Sequence, residues 1–326
     1  MMRIWQLHEL GDPLTNLSLD EAPAPEVGPG GVLVDVGAVG LAFPDVLQCR
    51  GEYQVRPPLP LSPGSETAGR VVAVGDGVDN VSPGQVVVGL GGGLAEQVVL
   101  PAGSVFPVPD ALSVTKAVAI PMNYCTTWYA LHDRARLQEG ETLLVTGASG
   151  GTGSAAIQLG LAAGARVLAV AGGPDKTAAC AALGAHEVID HREVDDLVTR
   201  VRELTDGRGA DVAYDPVGGE MFQQVRRCMA WDGRLLVIGF VAGIPEIATN
   251  HILLKNYSVV GVHWGASLGR DPSSLARQME AIMDLVVTGT VDPLMHPPYA
   301  FDEAARALQD IADRKVVGKV VVDLAA

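Results

Sequence analysis

The sequence predicts an α/β protein in which a doubly wound parallel sheet is joined to a second, β-barrel-like domain. Three observations predict it. The stretch LLVTGASGGTG at 143–153 runs from a short apolar strand through a glycine turn into a segment whose apolar residues recur at helical spacing. Behind it, short apolar runs alternate with helical ones as far as residue 262, which is what a doubly wound sheet requires. Ahead of it, from Met1 to about Pro121, short valine-rich runs are separated by Gly-Asp-Gly and Pro-Gly turns, the pattern of an all-β domain with little helix.

In the N-terminal part, GVLVDVGAVGL (31–41), GRVVAVGDGV (69–78) and GQVVVGL (84–90) read as strands. The pattern turns helical between Ala117 and Leu131, and Gly140 closes the approach to the sheet. Six strands follow: TLLVT (142–146), RVLAV (166–170), HEVID (186–190), DVAYD (211–215), RLLVIG (234–239) and YSVVGV (257–262). Helical segments such as DKTAACAAL, DDLVTRVREL and EMFQQVRRCM separate them. After Gly265 come helical stretches at 273–289 and 303–314 and a last strand, KVVGKVVVDL. That tail is too short for a third domain and is expected to return to the first. The expected division is 1–122, 123–264 and 265–326.

At 326 residues the chain can bury two ordinary cores, and 48% hydrophobic with 19% charged residues is a globular composition. No run approaches the roughly 18 apolar residues of a membrane span. The start MMRIWQLHELGDP lacks the apolar core of a signal peptide, so the expected location is cytoplasmic, with no membrane partner. A net charge of −15 without a Lys/Arg cluster argues against nucleic acid and toward small-molecule partners. Cys49, Cys125, Cys180 and Cys228 are far apart and form no C-x-x-C pair, so buried free thiols are expected.

The chemistry starts at the glycine turn. Gly147, Gly150 and Gly153, with Gly151 among them, fall at G-x-x-G-x-x-G spacing. Missing side chains there let backbone N–H groups at a helix start approach a pyrophosphate. An NAD site normally carries an acidic residue about 20 positions beyond the glycine turn to hold the ribose 2′-hydroxyl. Here that region is Ala171, Gly172, Gly173, with Lys176 close behind. No carboxylate repels a 2′-phosphate, and NADPH is the expected cofactor. The alternative is a solvated Lys176 with Asp175 on an NAD ribose.

The segments GLAFPDVLQCRGEYQVRPPLPLSPGSETAG (40–69), GASGGTG, DPVGGEMF (215–222), LLKNYSVVGVHWG (253–265) and VVGKVVV (316–322) resemble the NADPH:quinone reductase branch of the medium-chain dehydrogenase/reductase superfamily. The resemblance runs almost end to end. It implies a GroES-like catalytic domain built from both chain ends, a central Rossmann domain and a cleft between them. It implies a Lys on the 2′-phosphate at Lys176; relatives often carry a hydroxyl residue near Gly172 and a Tyr where His191 stands, and in this chain His191 and Arg192 offer alternative donors. It places Phe240 and Val241 near the nicotinamide, Thr126 near the nicotinamide and inner phosphate, and Lys319 at the pyrophosphate. Tyr53 matches a pocket tyrosine that is the proposed proton donor in related enoyl reductases; the alternative is a Tyr that only packs. Ala42 stands where most relatives have Asn, which leaves the pocket more apolar.

Zinc-dependent relatives place a Cys three residues before an Asp and a His inside Gly-His-Glu. Here Ala42 precedes Asp45 and the triplet is Gly64, Ser65, Glu66. Alanine cannot ligate zinc and serine rarely does, so a metal-free enzyme is expected. Three functions remain open: quinone or enone reduction, enoyl-thioester reduction, and NADPH binding with little turnover. Relatives also pair the strand at 257–262 across a twofold, which implies a homodimer.

Overall fold

In the computed structural model, which describes residues 1–110 and 112–325, the six strands form one parallel sheet. Its order is Glu187–Asp190, Arg166–Ala171, Thr142–Val145, Ala210–Asp215, Met229–Val237 and Ser258–Gly261. The chain enters at the centre on Thr142–Val145, winds outward to Glu187–Asp190, then crosses to Ala210–Asp215 and winds the other way. The direction reverses between Thr142–Val145 and Ala210–Asp215, and ligands bind such sheets at the carboxyl ends of strands flanking the reversal. The central strands are buried throughout, as Leu143, Leu144, Val145, Val212, Ala213 and Tyr214 show, because helices cover a parallel sheet on both faces.

The second sheet is largely antiparallel. It runs Tyr299–Ala300, Val320–Asp323, Gly31–Leu41, Glu66–Val74, Val86–Leu90, Val105–Pro107, with Gln97–Pro101 also paired to Gly31–Leu41. The C-terminal strand lies antiparallel to Gly31–Leu41, Val320 opposite Leu41 and Asp323 opposite Ala38. The tail thus returns to the first domain, and one apolar core joins Val34, Val39, Leu41 and Val87 to Leu308, Val320 and Val322.

The chain divides into two compact units, Met1–Met122 with Leu275–Val287 and Pro293–Ala326, and Asn123–Ser274 with Thr288–Asp292. The second unit extends ten residues past position 264. It also recovers 288–292, where the Asp292 N–H donates to Gln158 Oε1 at 2.7 Å. Two local features differ from the sequence reading. The all-β part contains a helix at Phe43–Arg50, started by Pro44 in its first turn and ended at Gly51 in the left-handed region. The fifth strand of the parallel sheet begins at Met229, five residues early, with Asp232 at φ 61° inside an irregular register. The Asp232-Gly233 pair lies at an irregularity within this strand.

Candidate active site

The glycine turn sits at the sheet reversal. Thr142–Val145 ends in Thr146, Gly147 adopts φ 55°, and the helix Gly151–Ala162 starts with Gly150 at its N-terminal boundary. No side chain caps this helix and its first turn has no acidic residue, so its leading N–H groups remain available to an anion. A β-carbon built on Gly153 would collide with the Gly147 carbonyl and lie 2.8 Å from Ala148 Cα. Only glycine lets the helix pack this closely against the turn.

Two further loops meet it from the neighbouring strands. Asp215, buried at the end of Ala210–Asp215, accepts from Thr146 Oγ1 at 2.6 Å and from the Val217 N–H at 3.0 Å. Burial pushes its carboxyl above the ordinary value, against the pull of those donors. The loop after the fifth strand is laced to the 216–219 turn: Ala242 N–H donates to Val217 O at 2.8 Å and Gly219 N–H to Gly243 O at 2.9 Å. Phe240, exposed, and Val241, half-buried, lie on that loop. Asp215 and Thr146 are the residues the sequence reading missed here. Their signal was positional, since both end strands that flank the reversal.

At the end of Arg166–Ala171 the backbone turns through Gly172 and Gly173 into the helix Pro174–Ala182, which carries Lys176, half-buried, in its first turn. His191 N–H donates to Ala171 O at 3.0 Å, which brings the turn after Glu187–Asp190 alongside. A β-carbon on Gly172 would lie 2.5 Å from His191 Nε2 and 3.0 Å from Arg192 Nε. The imidazole and guanidinium therefore fill the space a side chain at 172 would need. Asp190 is occupied by backbone, accepting from Gly173 N–H at 2.9 Å and Arg192 N–H at 3.0 Å.

Thr126 is half-buried on the helix Ile120–Trp128, and its hydroxyl has no hydrogen-bond partner among the described residues. Its neighbour Thr127 is the structural one, bonded to Asn123 O at 2.8 Å and to Tyr214 Oη at 3.0 Å.

In the other unit, Asp45 organises the candidate substrate side. Fully buried, it accepts from Ala42 N–H at 2.7 Å, Gly64 N–H at 3.1 Å and Ser65 Oγ at 2.8 Å. It fixes the start of the helix Phe43–Arg50 against the 64–66 turn, a structural task. Burial pushes its carboxyl up, against those three donors and Lys319. Tyr53 follows the helix by two residues past Gly51 and is half-buried, its hydroxyl without a hydrogen-bond partner among the described residues. Burial first, and the Asp45 charge second, push its phenol above the ordinary value, so it is a neutral O–H donor. Lys319 is 2% exposed and donates from Nζ to Glu66 Oε1, while Glu66 Oε2 accepts from Met122 N–H at 2.9 Å. Its ammonium is thus engaged with Glu66 inside this unit, a partner the sequence reading did not foresee.

Zinc does not fit this arrangement. Ala42 presents a methyl group, Ser65 donates to Asp45, and Glu66 is held by Lys319 and a backbone N–H. Among the described residues no three His, Cys, Asp or Glu side chains are grouped to hold a metal ion, and the four cysteines are buried and free. Nor is any helix of the described residues long and apolar enough to cross a membrane.

Comparison with known proteins follows the same division. Residues 28–110 match the alcohol dehydrogenase GroES-like domain family, and residues 151–286 match the family described as zinc-binding dehydrogenase. The quinone oxidoreductase-like protein 2 homolog of Nematostella vectensis is 38% identical over 322 residues, covering 97% of this chain and 87% of that protein. A mycobacterial protein solved in complex with NADPH superposes with a TM-score of 0.92 at 28% identity, covering 99% of this chain and 100% of the other. The CurK enoyl reductase superposes with a TM-score of 0.88 at 27% identity, covering 99% of each chain.

Proposed function

We propose that this chain, which belongs to the quinone oxidoreductase branch of the medium-chain dehydrogenase/reductase superfamily, uses NADPH to reduce quinones or related α,β-unsaturated carbonyls without a metal. It is a nicotinamide-dependent oxidoreductase. The observation that carries the finer reading is the donor set where zinc relatives hold their metal: Ala42, Ser65 and a Glu66 already bound to Lys319. Without a Lewis acid, a simple carbonyl or alcohol loses the stabilisation a metal gives to its alkoxide. A quinone or enone needs less help, because the negative charge left by hydride addition is delocalised over a hydroquinone or enolate.

When bound, NADPH supplies the hydride. The chain's residues bind and orient it. The N–H groups at the start of Gly151–Ala162 and the glycines 147, 150, 151 and 153 accommodate the pyrophosphate. Gly172, Lys176, His191 and Arg192 form the 2′-phosphate end, where the nearby Asp190 is turned onto the Gly173 and Arg192 N–H groups. Phe240 and Val241, on the loop held by the Asp215-anchored turn, and Thr126 serve the nicotinamide end. Lys319, the basic residue the family resemblance assigns to the pyrophosphate, has its ammonium engaged with Glu66. Ala42 and Tyr53 line the substrate side.

One observation favours a second reading, enoyl-thioester reduction: the half-buried Tyr53 hydroxyl has no hydrogen-bond partner among the described residues, so its O–H is uncommitted and available to donate a proton to carbon. Turnover of Tyr53→Phe on quinones and on crotonyl and longer enoyl thioesters separates the two. On a quinone the product anion takes its proton from water, and the turnover number is expected to fall within about tenfold. On an enoyl thioester, loss of general acid catalysis is expected to cost about 100-fold or more. Cofactor affinity is expected to stay unchanged. NADPH binding without turnover of any of these electrophiles would leave a binding protein and defeat both.

We also propose a homodimer through the sheet edge. Among the described residues Ser258–Gly261 is paired on one side only, by Met229–Val237, with Val259 exposed, and Leu253 and Leu254 on the preceding helix Thr249–Lys255 are 77% and 72% exposed. An open edge beside exposed leucines is suited to pairing with a second copy. Light scattering at working concentration is expected to give twice the chain mass of 33.9 kDa; a monomer would defeat the proposal.

A further inference from the structure

We infer that Asn123 is a further cofactor-binding residue, its side-chain amide donating to the pyrophosphate beside the first N–H groups of the helix Gly151–Ala162. The inference rests on the reading of the glycine turn as the pyrophosphate site and adds to it a side chain from another helix.

Gly151 is a glycine that the turn itself does not require. Gly147, Gly150 and Gly153 carry the spacing, whereas Gly151 is the first residue of the helix, outside the left-handed region, where glycine is a poor helix former. A β-carbon there would lie 2.5 Å from Asn123 Nδ2 and 3.0 Å from both Cγ and Oδ1. The space a side chain at 151 would fill is therefore taken by the Asn123 amide.

That amide is uncommitted. Asn123 is 4% exposed, and a buried amide ordinarily has a hydrogen-bond partner. Among the described residues its Nδ2 and Oδ1 have none, although its main-chain carbonyl accepts from Thr127 Oγ1 at 2.8 Å. Nor is the amide sealed in: the described side-chain atoms both shut from solvent and unpartnered are Ser62 Oγ and Gln309 Oε1. Its edge is therefore open at the glycine turn.

The backbone that carries it is fixed. Thr127 Oγ1 also lies 3.3 Å from Thr152 O and 3.0 Å from Tyr214 Oη, which ties the helix Ile120–Trp128 to the first turn of Gly151–Ala162 and to the strand Ala210–Asp215. Thr126, whose hydroxyl is likewise unpartnered among the described residues, stands three residues along the same helix face. An uncapped helix start without an acidic residue in its first turn favours an anion. The amide is neutral and Nδ2 offers two N–H bonds, so it adds donors there without opposing the anion. An oxygen of a diphosphate held by the leading N–H groups is the acceptor that Nδ2 lacks.

Asn123→Ala removes the donor without orphaning a described partner, and alanine is the better helix former. The thermal midpoint without cofactor is therefore expected to hold or rise, while affinity for a diphosphate falls about tenfold. Asn123→Asp is nearly isosteric but sets a carboxylate against the phosphate, and a loss of about 100-fold is expected.

The test is the Kd of three probes for the full chain and both variants. NADPH is the first; ADP-ribose 2′-phosphate keeps the diphosphate and lacks the nicotinamide; 2′-AMP lacks both. Each variant is expected to weaken NADPH and ADP-ribose 2′-phosphate by the same factor and to leave 2′-AMP binding unchanged, which also shows that it is folded. Equal loss of all three probes with a lowered thermal midpoint would make Asn123 a packing residue. Loss on NADPH alone would place the amide at the nicotinamide, and unaltered binding would leave it idle. Each of these outcomes overturns the inference and leaves the glycine-turn reading standing. Failure of the unaltered chain to bind NADPH and ADP-ribose 2′-phosphate overturns both.

Discussion

Valine at position 153 is expected to reduce NADPH affinity by at least about 100-fold. The reason is a collision with main chain: a β-carbon there meets the Gly147 carbonyl and lies 2.8 Å from Ala148 Cα, and neither can rotate out of the way as a side-chain tip would. The helix Gly151–Ala162 must move off the turn, and its leading N–H groups move with it. Each charge-assisted hydrogen bond to a phosphate is worth about 1.5–3 kcal/mol, so misplacing two of them accounts for the loss. Overpacking at the same point costs about 1–3 kcal/mol of stability, so binding should be measured well below the thermal transition. Gly103→Ala is the control, because a β-carbon there meets nothing within 4 Å, and it is expected to bind NADPH normally. Unchanged affinity in Gly153→Val would mean that the cofactor does not use this turn.

The second large effect is expected from Lys319→Met, about 3–5 kcal/mol of stability lost from the all-β unit. Lys319 and Glu66 are 2% and 0% exposed and bonded to each other, and Asp45, also buried, adds a second negative charge nearby. Removing one partner of such a pair leaves a charge buried and uncompensated, which is what costs the energy. Burial already pushes the Glu66 carboxyl up against the pull of Lys319; without the ammonium it is expected to bind a proton in the folded state. The double variant Glu66→Gln, Lys319→Met is expected to recover much of the loss, because the two changes together remove both charges. Urea unfolding of the three proteins reads this directly. A single variant as stable as the unaltered chain would show that the pair is not a structural tie between the C-terminal strand and the strand Glu66–Val74.

Much of the fold was legible in the sequence because each element carries its own local signal. The six strands of the parallel sheet stand where five- and six-residue runs predict them, since strands buried on both faces read as largely continuous apolar stretches. Only the Asp-Gly pair at 232–233 hid the start of one. The helix Phe43–Arg50 was passed over because its neighbours are strands, although Pro44 and Asp45 carry ordinary helix-start signals. The glycine turn was legible for a similar reason: glycine is required where backbone meets backbone, and the spacing of Gly147, Gly150 and Gly153 stands between an apolar strand and a helical segment.

What the sequence by itself determined was therefore local: the periodicity of strands and helices, the glycine turn that joins a strand to a helix, and Ala42 and Ser65 at the positions where zinc-dependent relatives carry Cys and His. The tertiary structure decided the pairings between residues far apart in the chain. It brought Lys319 onto Glu66 across 253 positions, Asp215 onto Thr146 across 69, and His191 over Gly172. The physical reason is that a buried charge or a vacated side-chain position is satisfied by whatever the sheet order places beside it. That order is set by long-range packing, which no local window of the sequence contains.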